Sequence, residues 1–156
     1  MDAHTLIALH TLYADYAAAL DARELSRWPG FFTEDGVYKL QSRENFDRGL
    51  PLATLAFESR GMLQDRVYGA QETIYHDPYV QRHVVGLPRL LGTEGSVLRC
   101  EASYLVIRTK RDAMPEILSV GRYLDRVVPT PEGLRFAERL VIFDNDLIAN
   151  SIIDPI

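Results

Sequence analysis

The stretch SVLRCEASYLVIRTKRDAMPEILSVGRYLDRVVPTPEGLRFAERLVIF, residues 96–143, decides the fold. From Ser96 to Lys110, Leu98, Cys100, Ala102, Tyr104 and Val106 recur at every second position, with Arg99, Glu101 and Ser103 between them. This is the period of a strand with one apolar face. Near its end Leu105 and Ile107 make both faces apolar. Met114-Pro115 punctuates a turn, Ile117 to Val128 supplies the next strand, Pro129 to Gly133 a second turn, and Leu134 to Phe143 a third strand. Three long strands joined by short polar turns describe an antiparallel meander.

Upstream of the meander the period changes. Leu6, Leu9, Tyr13, Tyr16, Ala17 and Leu20 fall at spacings of three and four, which predicts a helix over 4–22 with one apolar face. Glu24 to Phe32 continues with Leu25, Trp28, Phe31 and Phe32, but Pro29 removes a backbone donor in mid-segment, so a short, broken second helix is expected. Glu34-Asp35-Gly36 reads as a turn before a strand carrying Val37, Tyr38 and Leu40. Turn formers fill 45–51. Met62, Val67, Ala70 and Ile74 mark a third helix, best ordered over 62–75 and broken by Asp77-Pro78. Residues 83–91 are extended but interrupted by Gly86 and Pro88, as suits an edge or bent strand. Helices followed by a run of strands give an α+β domain in which the helices pack on one face of an antiparallel sheet.

Composition narrows the function. The chain has 156 residues, one domain's worth, and 17 Lys+Arg against 22 Asp+Glu give a formal net charge of −5. The cations are scattered in ones and twos, so there is no basic field to neutralise a row of phosphates and nucleic acid is not expected as a partner. No apolar run approaches the roughly 18–20 residues that span a bilayer, and MDAHTLIALH lacks the cationic start of a signal peptide, so no membrane association is expected. A single cysteine, Cys100, excludes an internal disulfide and any cluster that takes two thiolates from this chain, and favours the cytoplasm.

The residues that carry chemistry are sparse. His76, Asp77 and His83 are the best sketch of a two-histidine, one-carboxylate iron site, but they straddle Pro78, and a hydrogen-bonded structural role outweighs ligation. No nucleophile elbow, glycine-rich phosphate loop or Walker pattern occurs, and Cys100 lies on the apolar face of its strand, where a thiol is inert. The reading is therefore no catalytic, cofactor-binding or metal-binding residue. The unusual feature is charge inside strands: Arg99 and Glu101, Arg108 and Lys110, Arg122 with Asp125 and Arg126, then Arg135, Glu138 and Arg139. Either these pair with one another across a solvated face, or the face presses against another subunit. The apolar ending, with Leu147, Ile148, Ile152, Ile153 and Ile156, favours docking, because an undocked terminus frays.

Two kinds of likeness follow from particular stretches. YADYAAALDARELSRWPGFFTEDGVYKL (13–40) resembles the opening of the nuclear-transport-factor-two-like superfamily, a cone of helices closed by a curved sheet. GMLQDRVYGAQETIYHDPYVQRHVVG (61–86), GRYLDRVVPTPEGLRFAERLVIFDND (121–146) and the ending LIANSIIDPI resemble the small, or β, subunit of Rieske-type aromatic-ring-hydroxylating dioxygenases, with the nearest likeness to subunits serving hydroxylated or amino-substituted benzoates. That resemblance implies a large α subunit as partner, a homotrimer of this chain within an α3β3 assembly, and a Rieske [2Fe-2S] cluster and mononuclear iron held by the partner rather than here. A Rieske centre takes two Cys and two His, and this chain has one Cys. The family's usual Arg-His at a strand start matches Arg82-His83, after a lead-in, Pro78-Tyr79-Val80-Gln81, that departs from the serine- and arginine-rich type. With Arg122, Asp125 and Arg126, these form the expected subunit interface.

The same superfamily holds isomerases, dehydratases and polyketide cyclases, which sets a rival reading, and a small-ligand-binding module is another. Tyr16 falls where the isomerases place an oxyanion-donating tyrosine, but Leu40 stands where their general base would be. A dehydratase-like pair of His76 or His83 with Asp15 or Asp35 has no spacing rule behind it. A closed polar pocket inside the cone would favour an enzyme, and a roomy apolar one a binding module.

Overall fold

The three long strands form as β5 (Val97–Lys110), β6 (Glu116–Thr130) and β7 (Gly133–Phe143) of a computed structural model that describes residues 2–145 and 152–156. They are antiparallel, and their registers place Cys100 opposite Asp125 and Asp125 opposite Arg139. The other strands are β1 (Phe32–Ser42), β2 (Leu55–Phe57), β3 (Tyr79–Val85) and β4 (Arg89–Glu94). The sheet runs β2-β1-β7-β6-β5-β3, with β4 also pairing β5. Residues 83–91 thus divide into two strands on one edge of β5: Gly86-Leu87-Pro88 breaks the ladder, and the Gly86 N–H still donates to Ser103 O at 2.8 Å.

Two details of the sheet differ from the sequence-based expectation. The sheet is not wholly antiparallel, because β1 runs parallel to β7. Parallel neighbours need a long crossover, here most of the chain, and no local turn signal announces one. Residues 34–36 are a bulge inside β1 rather than a turn before it. Phe32 pairs with Phe136 and Val37 with Glu138, so β1 spends extra residues against β7. A Cβ at Gly36 would lie 2.7 Å from the Phe32 Cβ and 2.9 Å from Thr33 O, which only glycine avoids.

The two longer helices lie across one face. Helix α1 (Ala3–Asp21) starts at Asp2, whose carboxylate accepts from the Thr5 N–H at 2.7 Å, and buries Leu9, Leu12, Tyr13, Tyr16 and Leu20. Leu6, the first residue of the predicted stripe, is partly exposed. The broken second helix is a 3-10 segment, Leu25–Phe31, that places Trp28 fully in the core. Residues 45–51 include the end of a short helix, α2 (Arg43–Asp47). The third helix, α3 (Arg60–Tyr68), loosens into a π turn over Gly69–Thr73 and buries Leu63, Val67 and Ala70, with Met62 turned outward. No described helix is long and apolar enough to cross a membrane.

Inside this cone sits a charge. Arg139 on β7 and Asp125 on β6 face each other, Nε to Oδ1 at 3.0 Å and Nη2 to Oδ2 at 2.8 Å, with both side chains fully buried. Tyr13 donates its hydroxyl hydrogen to Asp125 Oδ2. The guanidinium lies 3.9 Å from the Phe136 ring centre, 4.1 Å from that of Tyr123 and 4.2 Å from that of Tyr16. A ring face stabilises a cation by its quadrupole, the more so when water is excluded. Burial alone would drive the Arg139 proton off, but the Asp125 charge and hydrogen bonds outweigh it and hold the guanidinium's pKa well above its usual value. Strand alternation also corrects the expected grouping of Arg122, Asp125 and Arg126: Asp125 faces the core while its two neighbours face out.

Three outcomes follow. Asp125→Asn leaves Arg139 as a buried charge without a counter-ion and should cost about 3–5 kcal/mol in denaturant unfolding, whereas replacing both residues by leucine and methionine should cost less. Gly121→Ala would bring a Cβ to 1.9 Å from the Ile142 carbonyl oxygen and should destabilise by about 3 kcal/mol or more, read from the same titration. Burial, reinforced by the Asp125 charge, pushes the Cys100 thiol up to about 12. It therefore stays neutral at pH 8, and a disulfide reagent should label it only after unfolding; rapid labelling of the native protein would contradict this.

Candidate subunit interface

The sheet's other face is where the outward residues of β3 to β7 collect. Cross-strand register sets Val84 beside Leu105 and Leu105 beside Val120, and sets Arg82 beside Ile107 and Ile107 beside Ile117. Val84 is 53% exposed and Ile117 65%. A row of branched apolar side chains therefore lies open at the end of the sheet where β3, β5 and β6 meet, opposite the helices.

Toward β4 the same face is charged, and the charges are paired. Arg89 binds Glu101 at 2.7 Å, and Arg122 approaches the other Glu101 oxygen at 3.7 Å. Arg126 and Arg99 share Glu94 at 2.8 and 3.4 Å. Pairs as exposed as these contribute only about 0–1 kcal/mol each. Arg122 also lies 5.7 Å from the Phe46 ring centre, so α2 wraps the β7 side of this face. The strand charges pair with one another, as the first reading expects, and the apolar row beside them has no cover among the described residues.

The five expected interface residues part company. Arg122 and Arg126 lie on the outer face, half exposed. Arg82 is exposed at the β3 edge and reaches Asp21 at 3.4 Å. Asp125 is in the core, as described. His83 is also turned inward, its ring fully buried with Nδ1 2.7 Å from Asp21 Oδ1, while its backbone N–H donates to the same carboxylate at 3.0 Å. Asp21 thereby ties the end of α1 to the edge strand β3 and covers one of its exposed amides. The sequence left open a pairing of His76 or His83 with Asp15 or Asp35; the partner of His83 is Asp21, and the signal that could have found it is position, since Asp21 ends α1.

The other chemical candidates are accounted for by local partners. His76 packs at a tilt against Tyr79, 5.3 Å between ring centres, Asp77 is bound to Lys110 at 3.0 Å and His83 to Asp21, so His76, Asp77 and His83 do not converge. Among the described residues no group of three or more His, Cys, Asp and Glu could hold a metal ion. Among the described residues the donors do not come together as a Rieske cluster or a mononuclear iron would need. Tyr16 accepts from Trp28 Nε1 at 3.1 Å and donates to Ile156 O at 3.0 Å, while Leu40, where a base would stand, is fully buried among core side chains. The tail residues Leu147 and Ile148 lie outside the described residues.

Comparison with known proteins agrees with this geometry. The SnoaL-like domain family matches residues 3–140. The chain is 30% identical to the anthranilate 1,2-dioxygenase small subunit of Burkholderia cepacia over 99% of this chain and 96% of that one. It is 28% identical to subunit beta 2 of the terminal oxygenase component of terephthalate 1,2-dioxygenase from Comamonas sp, over 89% and 90% of the two chains. The crystal structure of a β subunit assigned to an aromatic-ring-hydroxylating dioxygenase of Novosphingobium aromaticivorans superposes with a TM-score of 0.87 at 35% identity, covering 96% of this chain and 95% of that one. A likeness of this extent in sequence, fold and length together places the protein in a family: the chain belongs to the SnoaL-like domain family and, within it, to the small, or β, subunits of aromatic-ring-hydroxylating dioxygenases.

Proposed function

We propose that this chain is the non-catalytic, structural β subunit of a multicomponent oxygenase of the cytoplasm that attacks an aromatic acid of the benzoate or salicylate type. Its partner is a large α subunit carrying the Rieske [2Fe-2S] cluster and the mononuclear iron, in an α3β3 assembly where a trimer of β subunits holds the α subunits in register. The observation that carries this reading is the apolar row Val84, Leu105, Ile107, Ile117 and Val120 on the sheet face away from the helices. A sheet face is stable in water when it is polar or covered; this one is neither at that end, and contiguous apolar surface is what a lasting subunit contact buries. The names of the relatives supply the kind of partner, and the donors of this chain, which assemble no metal site among the described residues, leave the redox groups to it.

The rival enzymatic reading has less support. The His and Asp pair found among the described residues, His83 with Asp21, has its imidazole fully buried and its Nδ1 and main-chain amide committed to holding α1 on β3. A general base must reach a substrate proton.

The test is reconstitution. The purified chain is mixed with its large subunit and association is followed by analytical ultracentrifugation. Val84→Glu and Ile117→Glu, being exposed, should leave unfolding stability within about 1 kcal/mol of the parent, yet weaken association about tenfold or more by placing a charge in an apolar contact. The unmixed chain should bind no stoichiometric iron and oxidise no aromatic acid. Undiminished association of both variants, or turnover by the chain alone, would overturn the reading.

A further inference from the structure

A cleft of about 580 Å³ lies outside the cone, between α1, the 3-10 segment and the hairpin that joins β6 to β7. Its floor is apolar, made by Leu12, Phe31 and Leu134. Behind that floor the Tyr16 ring meets Phe31 and Phe136 edge-on, each at 5.6 Å between centres, and Tyr16 and Phe136 are buried, so the cleft does not open into the core. The hairpin wall is fixed by local bonding. The Thr130 hydroxyl lies 2.8 Å from Gly133 O and 3.0 Å from Glu132 Oε2 and accepts from the Glu132 N–H at 3.3 Å, while Gly133 sits at φ +113°, in the region that favours glycine. On the 3-10 wall Arg27 is bound to Glu24, and Gly30 leaves room, since a Cβ there would meet no atom within 4 Å.

The cation of this cleft is Arg135, half-buried at the start of β7. Every other arginine among the described residues reaches a carboxylate or, for Arg66, the Ile152 and Ile153 carbonyls. Arg135 reaches only the carbonyl of its own neighbour, Leu134, at 2.9 Å. Its Nη1 stands 3.7 Å from where a Cβ on Gly133 would lie, so the guanidinium folds back over the hairpin wall with its remaining donors unspent. A planar fork of N–H donors matches a carboxylate, the one partner Arg135 lacks. Asp15 on α1 lines the same cleft and has no hydrogen bond or ion pair among the described residues. With Glu132 on the rim it repels a bare anion, and it accepts from an O–H or N–H. We infer that the cleft binds a small carboxylic acid with an apolar body and a hydroxyl or amino group: the carboxylate on Arg135, the body on Leu12, Phe31 and Leu134, the donor toward Asp15. The site lies on the helix side of the sheet, away from the apolar row, and does not rest on the assembly reading.

The test titrates the full chain with 4-hydroxybenzoate by calorimetry, beside benzoate, which lacks the donor, and phenol, which lacks the carboxylate. Phenol should bind about tenfold or more weakly than 4-hydroxybenzoate, since a charge-assisted paired contact is lost. Benzoate should bind about 2- to 10-fold more weakly, the worth of one net hydrogen bond. Arg135→Gln should weaken 4-hydroxybenzoate about tenfold or more and remove its advantage over phenol. Gly30→Leu, which grows a side chain into the open space of the cleft, should weaken all three probes. Arg111→Gln, in the exposed turn between β5 and β6, should leave binding unchanged. Absence of binding to the parent chain, equal binding of the three probes, or undiminished binding by folded Arg135→Gln or Gly30→Leu would overturn the inference. The probe series needs only the parent chain, so it decides the matter even where a variant does not fold.

Discussion

The structure turns on one buried ion pair. Arg139 and Asp125 sit opposite each other on the two central strands of the sheet, and the side chains that surround them make a charge tolerable without water. Tyr13 fills the remaining carboxylate valence from α1, while Phe136, Tyr123 and Tyr16 present ring faces to the guanidinium. A pair of this kind adds little net stability compared with a well-packed apolar core, but it tolerates few alternatives, since any other register leaves a charge unpaired. It fixes how β6, β7 and α1 meet. Tyr16, which packs edge-on against Phe136, accepts from Trp28 Nε1 and so links the pair to the seat of Trp28.

The consequence is a division between two faces of one sheet. The inner face is used up by packing: aromatic rings, a paired charge and the chain's own residues 152–156 occupy the volume that a fold of this kind could give to a substrate. The outer face keeps a self-satisfied ladder of Arg and Glu beside an apolar row. Assembly needs accessible apolar area, and the outer face exposes it.

Much of the fold was legible in sequence because it obeys simple periods. The alternation from Leu98 to Val106 and the three-and-four spacing from Leu9 to Leu20 report burial directly, and both elements form as read. Non-local constraints were not legible. The parallel pairing of β1 with β7 depends on a crossover of most of the chain, and the bulge at Glu34 to Gly36 looks like any turn when its partner strand is unseen. For the interface residues the difficulty was parity. Asp125 lies between Leu124 and Arg126, and a strict period of two sends it inward; grouping it with Arg122 by proximity along the chain ignored that rule. His83 turned inward for the same reason, and its partner Asp21 stands 62 positions away. The apolar ending was read as something that docks, and the described part of it does, inside the domain rather than on a neighbour.

The central claim is that this chain works as surface for a larger, iron-bearing companion. It is tested most directly by recovering the tagged chain from its native host and measuring the mass of the intact assembly together with its visible absorption spectrum. The account predicts a hetero-oligomer with equal numbers of this chain and a larger one, coloured by a Rieske cluster. A colourless species containing this chain alone would contradict it.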